Sequence, residues 1–213
     1  MATAADIITR VGYRTRKTID SNSDPSQAEV LAWIEEACNW IQGVCIEYGS
    51  ELGRTIGNII LLDGIQEYDD LASSLWVPAE KGWIKESNTY YYVTRVNKDD
   101  LVRLHGNPTD ESRPEYFYVT NDNKIGFIDI PDQTYDFYLP YWPRHSITKT
   151  NDPIPFNDIF NEVIIEAVSI RVLNRDEYNV QFEQGWLNWL SDLVVRTIEK
   201  RQRYFERVAR RDF

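Results

Sequence analysis

The feature that most constrains this chain is a change of hydrophobic period, made twice along its length. Apolar residues recur three and four apart in the first quarter, alternate in twos through the middle, and return to three and four in the last third. A segment with one period cannot serve as the other element. Helical faces repeat every 3.6 residues, whereas each step along a strand sends the side chain to the opposite face. The chain is therefore α+β, in the order helices, sheet, helices.

The clearest early helix runs from Asp24 to about Tyr48. Val30, Leu31, Ile34, Cys38, Ile41 and Cys45 mark its inner stripe, and Trp33 and Trp40 widen it. Asp24 reads as the N-cap, Pro25 as the first helical residue and Gln27 as the capping-box partner. A shorter helix, about Thr3 to Val11, precedes it across a polar joint at Asp20–Ser23. In the last third, Pro153 and Pro155 end the middle block. Asn157 then caps a helix to about Leu173 that buries Phe160, Val163, Ile164, Ala167, Val168 and the stem of Arg171. A longer helix from about Glu177 to Val208 turns Phe182, Trp186, Leu190, Leu193, Val194 and Ile198 inward. Gly185 within it costs about 1 kcal/mol relative to alanine and reads as a close packing point.

In the middle block Asp63-Gly64 stands between two β-prone runs, a hairpin signal. Residues 115–120, 124–130 and 134–141 read as a three-stranded meander; in the last, Tyr135, Phe137, Leu139 and Tyr141 form an apolar face. Tyr90–Val93 reads as a further strand and Ser73–Ser87 as a long loop carrying Trp76 and Trp83. The expected architecture is a mainly helical bundle with an inserted antiparallel β-domain. Its segments are 1–53, 54–148 and 149–213, the last packing with the first as one helical domain.

Charge narrows the function. With 23 Lys and Arg against 34 Asp and Glu, the 213 residues carry −11, which disfavours a general nucleic-acid or anionic-membrane binder. The longest uncharged apolar stretch, around Thr55–Leu62, falls far short of the roughly 20 residues of a membrane span, and Met1–Asp6 lacks the features of a secretory signal. Cys38 and Cys45, about 10 Å apart on one helix, are beyond disulfide reach and read as buried thiols in a reducing compartment.

No constellation of catalytic residues stands out. His105 and His145 lack Cys, Asp or Glu at metal-ligand spacing, no glycine-rich phosphate loop occurs, and Ser73-Ser74 lacks the glycine frame of a nucleophile elbow. Asp69-Asp70 and Asp99-Asp100 are adjacent pairs, but catalysis by two carboxylates needs a shared cleft and split pKa values; turn formation is the simpler role. The expectation is a non-enzyme without metal or cofactor.

Two features point to partners instead. From Arg196 to Phe213 there are seven basic and three acidic residues, so this end carries +4 on a body of −15. Arg196, Lys200, Arg201, Arg203, Arg207, Arg210 and Arg211 interleave there with Tyr204, Phe205 and Phe213. Such a segment is either a solvated helix end, favoured by the macrodipole, or a docking peptide. Among seven tryptophans, Trp33, Trp40, Trp186 and Trp189 lie near helical stripes, while Trp76, Trp83 and Trp142 fall on loops or strand ends where contact with a partner protein or a sugar fits.

The order of elements resembles the head-to-tail adaptor proteins (head completion or connector proteins) of tailed bacteriophages, particularly the short-tailed type. Three stretches carry the resemblance: residues 59–70, IILLDGIQEYDD, as its hairpin; residues 134–143, TYDFYLPYWP, as its last β-strand; and residues 155–173, PFNDIFNEVIIEAVSIRVL, as the helix after the β-insert. The family often has Leu-Pro after the Glu-Tyr turn; here Tyr68 leads into Asp69-Asp70-Leu71. The resemblance implies a structural protein of the virion neck, assembled in the host cytoplasm. It would dock on the portal protein after genome packaging as a dodecameric ring, extend the DNA channel without binding DNA specifically, and seat the tail or nozzle proteins. The basic aromatic end, Arg196–Phe213, would be the portal-docking peptide. The alternative is a carbohydrate- or receptor-binding β-module using Trp76, Trp83 and Trp142; a third reading is a hydrolase using a carboxylate pair.

Overall fold

A computed structural model of the chain describes residues 1–97, 110–156, 158–175 and 180–209. Among them are four helices, α1 (Ala4–Thr15), α2 (Gln27–Glu47), α3 (Asn161–Asn174) and α4 (Val180–Ala209), and one eight-stranded sheet. Its strands are β1 (Thr55–Leu61), β2 (Glu67–Tyr68), β3 (Leu75–Pro78), β4 (Lys81–Glu86), β5 (Thr89–Arg95), β6 (Tyr116–Val119), β7 (Ile125–Ile128) and β8 (Tyr135–Pro143). The chain divides into two compact units, Met1–Gly53 with His145–Phe213, and Arg54–Arg144. It is α+β, but the helices do not dominate: the sheet is a unit with its own core, which corrects the expectation of a mainly helical bundle. None of the described helices is long and apolar enough to cross a membrane.

In the helical unit, both early helices open with a reciprocal cap. Thr3 and Asp6 cap α1, and Ser26 and Glu29 cap α2, with Glu29 Oε2 accepting from the Ser26 amide at 2.8 Å. The N-cap of α2 is therefore Ser26, not Asp24. Ser-x-x-Glu satisfies two orphan amide donors at once, which Asp24 with Gln27 does not. Ala4, Ile7 and Val11 of α1, Val30, Ile34 and Ile41 of α2, Ile164 and Val168 of α3, and Val194 of α4 are all buried in one apolar core. Cys38 and Cys45 are free thiols within it. The first turn of α3 has no side-chain cap and begins after Phe160; Asn157, the expected cap, lies outside the described residues. In α4, Leu190, Val194 and Ile198 are buried, and Trp186 and Leu193 partly so. The side chain of Phe182 is outside the description. Gly185 is not a packing point: nothing lies within 4 Å of where its Cβ would be.

The sheet runs β1-β8-β4-β5-β6-β7-β2, with β3 also on β8. All pairs are antiparallel except β5 with β6. Two expectations fail here for the same reason. The Asp63-Gly64 turn forms, but β1 pairs with β8 and β2 with β7, so no hairpin joins them. The β6–β7 hairpin forms, yet β8 leaves the meander and becomes an interior strand between β1 and β4. Its Tyr135, Phe137, Leu139 and Tyr141 are buried. The long strand thereby shields one face on β1 and β4 together, which an edge position beside the four-residue β7 would not achieve. Ser73–Ser87 is not a loop, since it contains β3 and β4. In β4 the buried Gly82 and Ile84 alternate with Lys81, Trp83 and Lys85, a period-2 pattern. The core of this unit gathers Ile59, Leu61, Ile84, Phe117, Phe127 and Phe137, with Phe127 edge-on to Phe137 at 4.9 Å.

Candidate functional site

Three places in the described residues could engage a partner, and each follows from how its element is built. The first is the end of α4. Ile198 is buried, and the helix continues to Ala209, about 16 Å further at 1.5 Å per residue, with the side chains beyond Arg201 outside the description. Arg196 and Lys200 are exposed and Arg201 is half-buried. Arg203, Tyr204, Phe205 and Arg207 belong to the helix, with their side chains outside the description; Arg210, Arg211 and Phe213 lie outside the described residues altogether. Cations in a last turn complement the partial negative charge of the helix C-terminus.

The second place is the solvent face of the sheet. Registers across β1, β8, β4 and β5 align Asn58, Tyr138, Trp83 and Tyr92 in one row, and Ile60, Asp136, Lys85 and Tyr90 in the next. Trp83 stacks on Tyr138 with centroids 6.0 Å apart and planes 18° from parallel. Lys81 lies over the Tyr92 ring at 6.0 Å. Of the three tryptophans expected to meet partners, Trp83 sits in this row, half-buried. Trp76 on β3 is 40% exposed, and Trp142 on β8 is half-buried under the Arg54 guanidinium, 5.3 Å from its ring. The rows do not bring the three together. Sequence reading missed Ile56, Ile60, Tyr90 and Tyr92, exposed by 55–74%. The run Thr89–Thr94, TYYYVT, was its signal: alternation cannot assign faces where every residue is β-prone.

The third place is a groove of the helical unit, about 450 Å³, lined by Trp33, Trp40 and Trp186 and by the ion-paired Glu36 and Arg171. Trp33, Trp40 and Trp186 pack against the helical core, as their stripe positions imply, whereas Trp189, edge-on to Trp186 at 4.9 Å within α4, is 47% exposed.

Titratable groups suggest structure rather than chemistry. Burial pushes both Cys38 and Cys45 up to about 12, leaving them as unreactive thiols. Burial lowers His145 to about 4; its Nε2 is 3.1 Å from Gln42 Oε1 and its ring is edge-on to Phe156. Asp69 is a turn residue, its carbonyl accepting from the Ala72 amide at 2.9 Å. Among the described residues no group of three or more His, Cys, Asp or Glu is placed to hold a metal ion. His105, Asp99 and Asp100 are outside them.

Comparison with curated proteins finds no match. Comparison with known families matches residues 2–211 to the family described as SU10 adaptor protein. That match spans nearly the whole chain, both units included, and agrees with the order of elements set out above. The chain belongs to the SU10 adaptor protein family, a family of phage adaptors.

Proposed function

We propose that this protein is a non-enzymatic component of the virion neck, which docks as a dodecameric ring on the portal protein after genome packaging. It extends the DNA channel and offers the platform on which tail or nozzle proteins assemble. The observation that supports this beyond the family is the length of α4, which runs to Ala209 into a segment of opposite charge to the rest of the chain. A basic helix end on an acidic chain suits docking on another protein, and Tyr204, Phe205 and Phe213 supply apolar anchors among its cations. Ordering such an end costs a few kcal/mol, offset by repetition of the contact around a ring. The net charge of −11 suits a channel wall, because phosphates passing an acidic surface release no counterions and are not held.

Removal of residues 204–213 tests the docking role. The truncated chain is expected to keep its circular dichroism spectrum and melting temperature while losing co-sedimentation with the portal protein. Undiminished co-sedimentation would place the docking surface elsewhere. Alanine at Trp76, Trp83 and Trp142 should leave portal binding intact, and glycan binding lost in those variants would favour the carbohydrate-binding reading.

A further inference from the structure

Two strand edges of the sheet carry no partner among the described residues. β1 pairs only with β8, leaving its other edge open along Thr55–Leu61. β5 pairs with β6 only at Thr94 and Arg95, leaving Thr89–Val93 open on the side away from β4. At that second edge lies a groove of about 590 Å³ between Tyr91–Thr94 and Arg113–Tyr116. Open edges are normally blunted by lysine, proline or shortness, because unpaired amides recruit other chains. Here neither stretch, TIGNIIL or TYYYVT, contains a charge or a proline. The opposite end of the sheet, β2, is two residues long and fits the rule.

The two edges also match each other. Antiparallel steps from β1 to β8, β4 and β5 leave β5 running opposite to β1. A second copy placed beside the first would therefore set its β1 antiparallel to this copy's β5. The solvent face would continue across the junction, with Tyr90 opposite the next copy's Ile60 and Tyr92 opposite its Asn58. Aromatic with β-branched is a favourable cross-strand pairing. The junction is head-to-tail, the kind that closes into rings rather than stopping at a pair. Copies that each carry −11 repel one another, so strand stretches without charge are where they can approach; the nearest charge at the β5 edge is Arg113, stacked 3.7 Å over the Tyr91 ring and paired with Glu86.

We infer that neighbouring copies join edge to edge, Thr89–Val93 of β5 in one to β1 of the next, so that the strands β1-β8-β4-β5 of successive copies run on as antiparallel neighbours around the ring while β6 diverges at Thr94. The inference rests on the ring reading above. About six residues of strand, roughly 20 Å, form a short seam. It closes on a template that holds copies at high local concentration, not in dilute solution.

The test uses the full chain bound to the portal protein and a short bismaleimide crosslinker. The native thiols are buried and raised to about 12, so they do not compete. The double variant Ile60→Cys/Tyr90→Cys should give a ladder of covalent multimers, whereas either single variant should remain monomeric on a denaturing gel. Ile60→Lys should retain the wild-type melting temperature, since Ile60 is 55% exposed and its cross-strand neighbour is Asp136. Its ring occupancy on the portal should fall at least tenfold.

Multimers from a single variant would mean a two-fold contact and overturn the seam. So would a complete wild-type ring that yields no ladder from the double variant and tolerates Ile60→Lys; the adaptor reading would survive that result. Loss of tail-protein binding in Ile60→Lys with the ring intact would assign the β1 edge to a tail partner instead. A wild-type chain that forms no ring on the portal would remove both proposals together.

Discussion

Gln42 is a fully buried amide on an otherwise apolar helix face, and its bonds explain why it is there. Its Nε2 donates to the Leu52 carbonyl at 3.3 Å and its Oε1 meets His145 Nε2. One turn earlier, Asn39 accepts from the His145 amide at 2.8 Å and donates to the His145 carbonyl at 2.9 Å, and Glu35 accepts from the Ile147 amide at 2.8 Å. Glu35, Asn39 and Gln42 thus form one stripe of α2 that grips the ends of both segments leaving for the sheet unit. Gln42→Leu keeps the volume but strands the Leu52 carbonyl and His145 imidazole, and should cost about 2 kcal/mol in urea denaturation. Gly53, at φ +73°, lies so close that a Cβ would come 2.1 Å from Gln42 Oε1 and 2.8 Å from Phe156; Gly53→Ala should destabilise by about 1–3 kcal/mol on the same assay.

His145 adds a pH dependence. Its folded pKa, about 4, lies below the ordinary 6.5 because burial disfavours the cation. Between those values the unfolded chain binds the proton more readily, so stability is full above 6.5 and declines as pH falls towards 4. The melting temperature should drop by a few degrees between pH 7 and 5, and His145→Asn should flatten that part of the profile. An unchanged slope in the variant would show that His145 carries none of the effect. None of this stripe was legible beforehand: Asn39 and Gln42 look like polar interruptions of a helix, and only tertiary folding shows which carbonyls they face.

Elements were legible where a local rule decides them. The helices follow from period 3.6 and the β8 strand from alternation. Which strands pair was not legible, because alternation gives the buried face of a strand and not its neighbour. The Asp63-Gly64 turn invited a hairpin; long-range pairing with β8 over seven residues outweighed it. The cap of α2 moved to Ser26 because reciprocal hydrogen bonding is the stronger signal, and Ser26→Ala should cost about 1 kcal/mol. Gly185 gives the opposite sign. With open space at its Cβ position and a helical site, Gly185→Ala should stabilise by about 1 kcal/mol, read as a raised urea midpoint. A loss would mean that α4 meets something there in the folded chain.

For the whole molecule, charge and element order carried more of the function than any single residue did. The sequence contains no short motif diagnostic of an adaptor, yet helices, sheet and helices in that order pointed to the phage adaptors, the family matched over residues 2–211. The surface candidates were less legible: tryptophans draw attention in a sequence, whereas the most exposed apolar groups of the sheet are isoleucines and tyrosines. Exposure is a property of the folded sheet, not of the residue type. The most direct measurement is sedimentation velocity of the purified protein, alone and mixed with the portal protein. A portal boundary that gains one chain per portal subunit is the predicted result. Separate sedimentation of the two at every salt concentration would contradict the neck assignment.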